Sequence, residues 1–318
     1  IAIRRGPMAV PTDATDVFAI DTLGGTSPNP PDFYSGWPVD MSMFRRRSQT
    51  ANWATTDRLR GPTAELRTNS TEAEQSIGDV EYDQMTGYYD DNNVVSDIVS
   101  WMWKRAPGFF DVVAYTGDGT GSSGSGRAVS HNLGVAPEMM WVKQRNVSGE
   151  DWWVYHSGLD ATAPEDYNLI LNGTNAKSGV TGAWARTPPT SAAFFLDQSP
   201  VNVSNGTFIA YLFATLPGVS KVGSYTGTGA TLNIDCGFTS GARFILIRRT
   251  DSNGDWMLFD TERGVVSGND PFLMLNESSA ENSGQDLVDP YSSGFTLTNS
   301  GNGNVNGSGG SYIFYAIA

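Results

Sequence analysis

The sequence predicts an all-β chain, a tandem array of three homologous β-sandwich-like modules. Three observations predict it. First, the composition is rich in Gly (36 of 318 residues) and in aromatics (9 Trp, 15 Phe, 12 Tyr), while only 17% of residues are charged. That profile suits strands punctuated by turns and lacks the Ala/Glu/Lys/Leu mixture of helical proteins. Second, several motif blocks recur in register along the chain. Third, short β-branched or aromatic runs such as Phe208-Ile-Ala-Tyr-Leu-Phe213 and Arg243-Phe-Ile-Leu-Ile-Arg-Arg249 alternate with turn chemistry.

The repeats set the domain organisation, so they come before any local motif. Ala106-Pro107-Gly108 followed by Tyr115-Thr116-Gly117-Asp118-Gly119 matches Leu216-Pro217-Gly218 followed by Tyr225-Thr226-Gly227-Thr228-Gly229, every position offset by 110. A second block aligns Asn52-Trp53, Asp57, Arg60 and Gly61 with Asp255-Trp256, Asp260, Arg263 and Gly264; the middle copy reads Asp151-Trp152, with His156 at the aspartate position. An arginine precedes each Trp by seven residues: Arg46, Arg145 and Arg249. A third block holds Asn69, Asn172 and Asn276. A fourth closes each copy with an aromatic strand: Val99-Ser-Trp101-Met-Trp103, Ile209-Ala-Tyr211-Leu-Phe213 and Ile313-Phe-Tyr315-Ala-Ile317.

These blocks place the copies at 8–106, 107–216 and 217–318. Residues 1–7 resemble the end of a copy, because Ile1-Ala-Ile3-Arg-Arg5-Gly-Pro7 matches Trp101-Met-Trp103-Lys-Arg105-Ala-Pro107. They are read as the end strand of an upstream unit. Within the copies, Asn205-Gly206 and Asn306-Gly307 are expected as hairpin turns with positive φ. Residues 71–75 and 278–282 are expected as a helical turn capped by Asn69 or Asn276.

Charge excludes several function classes. Against 34 Asp+Glu stand 20 Lys+Arg, a formal net charge of -14. Phosphate neutralisation needs clustered cations, so nucleic acid is not an expected partner, and neither is an anionic membrane surface. The apolar run 208–216 is too short to span a bilayer, so no membrane insertion is expected. A single Cys236 excludes an internal disulfide framework, and two histidines leave little for a zinc site. No cofactor or metal is expected.

Candidate chemistry is sparse. The run 117–126 is Gly-rich but lacks the Lys-Ser/Thr and the helix that follow a phosphate cradle, so it reads as a loop. Asp251-x-Asn253-x-Asp255 has calcium-like spacing, yet Trp256 stands where such a loop needs Gly, so it reads as a tight turn. The acid pairs Glu81/Asp83, Asp90/Asp91 and Glu165/Asp166 sit in turn-like segments and read as solvated. His156, equivalent to Asp57 and Asp260, reads as a structural polar group, with Arg46–Asp57 and Arg249–Asp260 the expected ion pairs. His131 reads as a turn residue. Trp53, Trp152 and Trp256 recur and are expected in the core or between units. Trp37, Trp153 and Trp184 do not recur; the scaffold does not require them, which makes them the candidate surface-contact aromatics, with local packing as the alternative.

The runs Phe110-Asp-Val-Val-Ala-Tyr115-Thr-Gly-Asp-Gly119, Val129-Ser-His-Asn-Leu-Gly-Val-Ala-Pro137-Glu-Met-Met-Trp-Val-Lys143, Trp152-x-Val-Tyr-His156 and Gly223-Ser-Tyr-Thr-Gly227 carry a family resemblance. They resemble a repeat family of tail-fibre and other virion structural proteins of tailed bacteriophages, notably marine and freshwater phages. The resemblance covers copies two and three well, and copy one mostly over residues 43–119. Copy one departs through a longer lead, Pro28 to Trp37. The resemblance implies virion localisation, contact with other virion proteins and with host-surface glycan, and a homotrimer. It carries no active site across. Short linkers such as Arg105-Ala-Pro-Gly-Phe109 are expected to hold successive units stiffly end to end. Two alternatives stand beside the fibre: a capsid-surface decoration protein and a glycan-depolymerising tailspike.

Overall fold

Pro107-Gly108 and Pro217-Gly218 each make the tight turn that their sequence anticipates. Gly108 (φ 75°) and Gly218 (φ 76°) occupy the left-handed region. Phe109 N–H returns to the Ala106 carbonyl (3.2 Å) and Val219 N–H to that of Leu216 (2.9 Å), as in a type II turn with Pro at its second position. The computed structural model describes residues 8–22, 31–76, 78, 80–90, 97–179 and 183–318. The expected end strand at 1–7 lies outside the described residues, as do 28–30 of the longer lead and Asp91.

The first copy supplies β1 (Phe18–Thr22), β2 (Phe33–Tyr34), β3 (Met41–Arg46), β4 (Ala54–Asp57), β5 (Ala64–Glu65), β6 (Gln75–Ser76), β7 (Val80–Glu81), β8 (Gly87–Asp90) and β9 (Ile98–Trp103). The second supplies β10 (Phe110–Thr116), β11 (Arg127–Ser130), β12 (Met139–Gln144), β13 (Trp152–His156), β14 (Leu169–Ile170), β15 (Ala193–Leu196) and β16 (Thr207–Phe213). The third supplies β17 (Ser220–Thr226), β18 (Leu232–Asp235), β19 (Phe244–Arg249), β20 (Trp256–Asp260), β21 (Asp270–Met274), β22 (Asn282–Gln285), β23 (Val288–Tyr291), β24 (Gly294–Leu297) and β25 (Ser311–Ile317). Helical structure among the described residues is confined to the 3-10 turns Ala14–Asp16 and Pro164–Asp166.

Three main antiparallel sheets run β1-β9-β3-β4, β10-β16-β12-β13-β14 and β17-β25-β19-β20-β21-β22. Each has a smaller companion: β2-β8-β7, β11-β15 and β18-β24-β23. The closing aromatic strands β9, β16 and β25 each lie second from an edge, between the first strand of the copy and the β3, β12 or β19 strand. Register repeats as well: Met41 faces Trp103, Met139 faces Phe213 and Phe244 faces Ile317.

Burial on both faces explains why these strands read as continuous apolar runs rather than as alternating ones. One face of the first main sheet packs Phe44, Ala54, Ile98 and Met102 against Phe33, Val80 and Tyr88 of its companion. The second does likewise with Met140, Val142 and Leu212 against Val129, Phe194 and Leu196. The opposite faces meet in one shared core that includes Trp53, Trp101 and Trp103, Trp141, Trp152 and Tyr211, and Trp256, Leu258 and Tyr315. The main sheets therefore pack on one another, which departs from the expected end-to-end stiffness of separate units.

Two local expectations are corrected. Residues 71–74 and 278–281 are irregular, followed by short strands, with no helical turn. Asn69 and Asn276 instead bind the start of a neighbouring strand, described below. Of the Asn-Gly pairs only Asn205 takes positive φ (61°). Asn306 is a fully buried hub whose Oδ1 accepts from Thr228 N–H (2.9 Å), while its Nδ2 donates to the Ala230 and Thr298 carbonyls (both 2.8 Å).

Candidate functional site

The most elaborate polar construction lies where the main sheets meet, and it is built from the repeated residues. Each repeated Trp begins or precedes a strand, and its backbone N–H is taken by an Asn side chain: Trp53 by Asn69 (3.0 Å), Trp152 by Asn172 (2.8 Å), Trp256 by Asn276 (2.8 Å). The same amides donate onward to Asn52, Asp151 and Asp255. These asparagines are thus fixed as structural clamps.

Each indole then reaches out of its own copy. Trp53 Nε1 donates to the Met274 carbonyl (2.9 Å), Trp152 Nε1 to Arg67 (2.8 Å) and Trp256 Nε1 to Ile170 (2.9 Å). The first copy bonds the third, the second bonds the first, and the third bonds the second. Backbone bonds follow the same cycle: Ala51 N–H to Ser278 (2.9 Å), Gly149 to Thr71 (2.8 Å) and Gly254 to Thr174 (2.9 Å). Return bonds run from Glu74 to Arg145, Lys177 to Thr250 and Glu281 to Arg47, each 2.8 Å.

Buried charge follows this cycle. Asp57 is bonded by Arg60 Nε and by Tyr211 Oη (2.7 Å), the tyrosine coming from the second copy. Asp260 is bonded by Arg263 Nε (2.6 Å) and by Trp101 Nε1 (2.9 Å), the indole coming from the first. His156 stands in their place with Nδ1 accepting from Gly158 N–H (2.9 Å) and Nε2 facing the Phe314 carbonyl of the third copy (3.3 Å). Burial opposes the charge on Arg60, but Asp57, Tyr211 and Glu74 together hold it above its ordinary range. Burial lowers His156 to about 4, so the ring is neutral.

A second set of cations sits opposite the repeated Trp residues. In register, Arg45, Lys143 and Arg248 are equivalent, since Lys143 faces Trp152 and Arg248 faces Trp256. Arg45 donates to the carbonyls of Glu277, Ser278 and Ser279, Lys143 to Thr71 and Glu150, and Arg248 to Asn175. Burial lowers Arg45 and Arg248 to about 10 and Lys143 to about 8.

The expected ion pairs Arg46–Asp57 and Arg249–Asp260 do not form. Arg46 pairs with Asp97 (2.9 Å) and Arg249 with Asp251 (2.9 Å), both at the surface. The aspartates instead pair with Arg60 and Arg263, three residues on, where the chain turns back after the strand. The repeated Asp-x-x-Arg spacing was the available signal. Arg145 is not the register equivalent of Arg46: the hairpin loop before Trp152 is one residue longer, so Gln144 takes that strand position. Arg145 instead forms a bidentate pair with Glu74 of the first copy (both bonds 2.8 Å).

Of the unrepeated tryptophans, Trp37 and Trp184 are not displayed as expected. Trp37 is 7% exposed, its Nε1 donating to the Thr15 carbonyl (2.8 Å), and Trp184 is 1% exposed. Both fill space beside the companion sheets. Trp153 is half-buried. His131 bridges a turn, accepting from Leu133 N–H (3.2 Å). Asp251 and Asp255 of the calcium-like spacing are engaged separately, by Arg249 and by Asn276. Among the described residues no three His, Cys, Asp or Glu side chains converge as a metal site would require. A cavity of about 460 Å³ lined by Arg58, Pro62, Glu81, Tyr82 and Asp83 opens on the first copy. Glu81 and Asp83 there are exposed.

This construction defines an all-β protein of paired antiparallel sheets in which the buried Asp57 and Asp260 are paired with Arg60 and Arg263. The chain belongs to the family described as Domain of unknown function (DUF7483), whose model matches residues 15–318. That match spans the three sequence copies as one unit. No curated protein and no solved structure matches the chain.

Proposed function

We propose that the chain is a non-covalent structural component of a tailed-bacteriophage particle, a tail-fibre or tail-associated head that contacts the host surface. Its three repeats close into a ring rather than a string. The observation that carries the reading is the cycle of indole bonds from Trp53, Trp152 and Trp256, in which every copy is both donor and acceptor. Heterologous contacts of this kind make a ring when the rotation closes. Here one chain supplies the threefold contact set that a homotrimer would otherwise supply, so a single chain is the unit we favour.

The reading needs no cofactor. The interior charges serve closure: Asp57 and Asp260 already accept from arginine and from a neighbouring copy. Loops such as 117–126 are left to face outward, and several weak contacts on one rigid head combine through avidity. A ring of this symmetry also suits a decoration protein seated at a local threefold position of a capsid.

Purified particles test the proposal. Mass spectrometry finds this chain in particles that have been gradient-purified and nuclease-treated, and antibody labelling places it on the tail rather than the capsid. Labelling on the capsid selects the decoration role. Absence from the particle overturns both. Release of oligosaccharide from host glycan by the purified chain would select the depolymerase instead.

A further inference from the structure

The three copies differ at one place on the companion-sheet side of the main sheets. Trp153 and Tyr155 share a face of β13, and register makes their equivalents Ala54 and Thr56 in the first copy, Met257 and Phe259 in the third. In the first copy this face is a closed hydrogen-bonded set, Thr56 with Tyr82 (2.5 Å) and Ser42 (2.8 Å). In the third it is apolar, with Phe259 against Phe272 (5.8 Å between rings). The second copy leaves hydrogen-bonding groups there without partners among the described residues.

Those groups are specific. Glu165, on the 3-10 turn that packs beside β13, is 9% exposed, and its carboxylate has no hydrogen-bond or ion-pair partner among the described residues. Its charge acts on the Tyr155 phenol. Tyr155 is 3% exposed and its hydroxyl likewise lacks a partner among the described residues. The indole N–H groups of Trp153 and Trp184 are buried and unbonded. Trp184 meets Tyr155 edge-on, 5.9 Å between rings, and leads into Ala185 (φ 50°) and Arg186 (φ 49°). Two successive non-Gly residues in the left-handed region are costly and collect at binding sites. Asp166, beside Glu165, is held by Arg186 (3.6 Å).

We propose that Tyr155, Glu165 and the half-buried Trp153 form a saccharide-binding site, bounded by the Trp184 turn and present on the second copy alone. The Glu165 oxygens and the Tyr155 hydroxyl have no protein partner among the described residues yet are not closed off from solvent, as the Trp153 and Trp184 indole N–H groups are. Sugar hydroxyls are donors that such a carboxylate accepts in pairs. An aromatic ring alongside offers the apolar face that a pyranose covers, and the phenol supplies a group that both donates and accepts. This inference deepens the host-contact reading above and rests on it.

Its test uses the whole chain, labelled with 15N and titrated with glucose, galactose, N-acetylglucosamine and N-acetylgalactosamine at millimolar concentration. The inference expects at least one sugar to shift the indole signals of Trp153 and Trp184 saturably. Glu165→Gln then weakens that sugar about tenfold or more, because a hydrogen bond to a charged group is lost. Tyr155→Phe weakens it less, and melting curves establish that both variants are folded. No shift with any sugar overturns the inference, as does binding unchanged in both variants, or shifts with calcium or putrescine in place of sugars. Particle proteomics answers separately, so the chain can belong to the virion while this site fails.

Discussion

The Tyr211 hydroxyl donates to Asp57 Oδ2 at 2.7 Å, joining residues 154 apart in the chain. The bond carries a neutral donor from one sequence copy to a buried carboxylate of another. Arg60 already neutralises that carboxylate, so the tyrosine adds closure rather than charge balance.

Tyr211→Phe therefore removes a buried hydrogen bond to a charged group and costs about 1.5–3 kcal/mol. Tyr315 occupies the matching position, but among the described residues its hydroxyl has no hydrogen-bond partner of ordinary geometry, although the Trp103 indole lies beside it. Tyr315→Phe is expected to leave stability within about 0.5 kcal/mol of wild type, since no bond is lost. Urea denaturation of the two variants side by side reads the difference.

Asp260→Asn removes the closer of the two carboxylates that pair with buried Arg263, leaving Glu281 at 3.2 Å. The loss of a buried charge-assisted hydrogen bond is expected at about 1.5–3 kcal/mol. Arg249→Gln, which breaks the surface pair with Asp251, is expected to cost under about 1 kcal/mol. Equal losses in the two variants would contradict the assignment of partners.

His156 gives the fold a pH dependence. Burial lowers it from 6.5 to about 4, so it is neutral when folded and protonated when unfolded between those values. The unfolded state binds the extra proton, and stability falls as pH drops from above 6.5 towards 4. The contribution reaches about 3 kcal/mol at the acid end. His156→Gln keeps a donor and an acceptor but does not titrate, so its urea midpoint should change less than wild type between pH 7.5 and 4.5. Parallel slopes would remove His156 from the account.

Asn306→Ala removes one acceptor and two donor contacts at a fully buried position. Leaving the Thr228 N–H and two carbonyls unsatisfied is expected to cost about 3 kcal/mol or more. A thermal melt shows this as a large drop in Tm.

Much of the strand pattern was legible because the copies share local chemistry. Pro107-Gly108 and Pro217-Gly218 specify a turn by themselves, and the closing strands around Trp101, Tyr211 and Tyr315 carry apolar residues on both faces. Repetition also marked Trp53, Trp152 and Trp256 as interior. It could not say what they touch, because equivalence between copies is not contact between them. Trp152 meets Arg67, 85 residues away, and no local pattern encodes that. The partner of Asp57 is hidden in the sequence for a related reason. The shared seven-residue spacing points to Arg46, whereas the turn after β4 brings the nearer Arg60 onto the carboxylate. Trp37 and Trp184 mislead because a residue absent from other copies can still fill a space that only its own copy has.

The proposed ring closes between the first and third copies, and one cross-link tests it. Ala51 N–H bonds the Ser278 carbonyl at 2.9 Å, so the Ala51→Cys, Ser278→Cys double variant places two thiols on adjoining backbone. Non-reducing electrophoresis with peptide mass spectrometry after mild oxidation is expected to find the 51–278 disulfide within a single chain at monomer mobility. Unreacted thiols, or the same disulfide between chains, would contradict a ring formed by one chain.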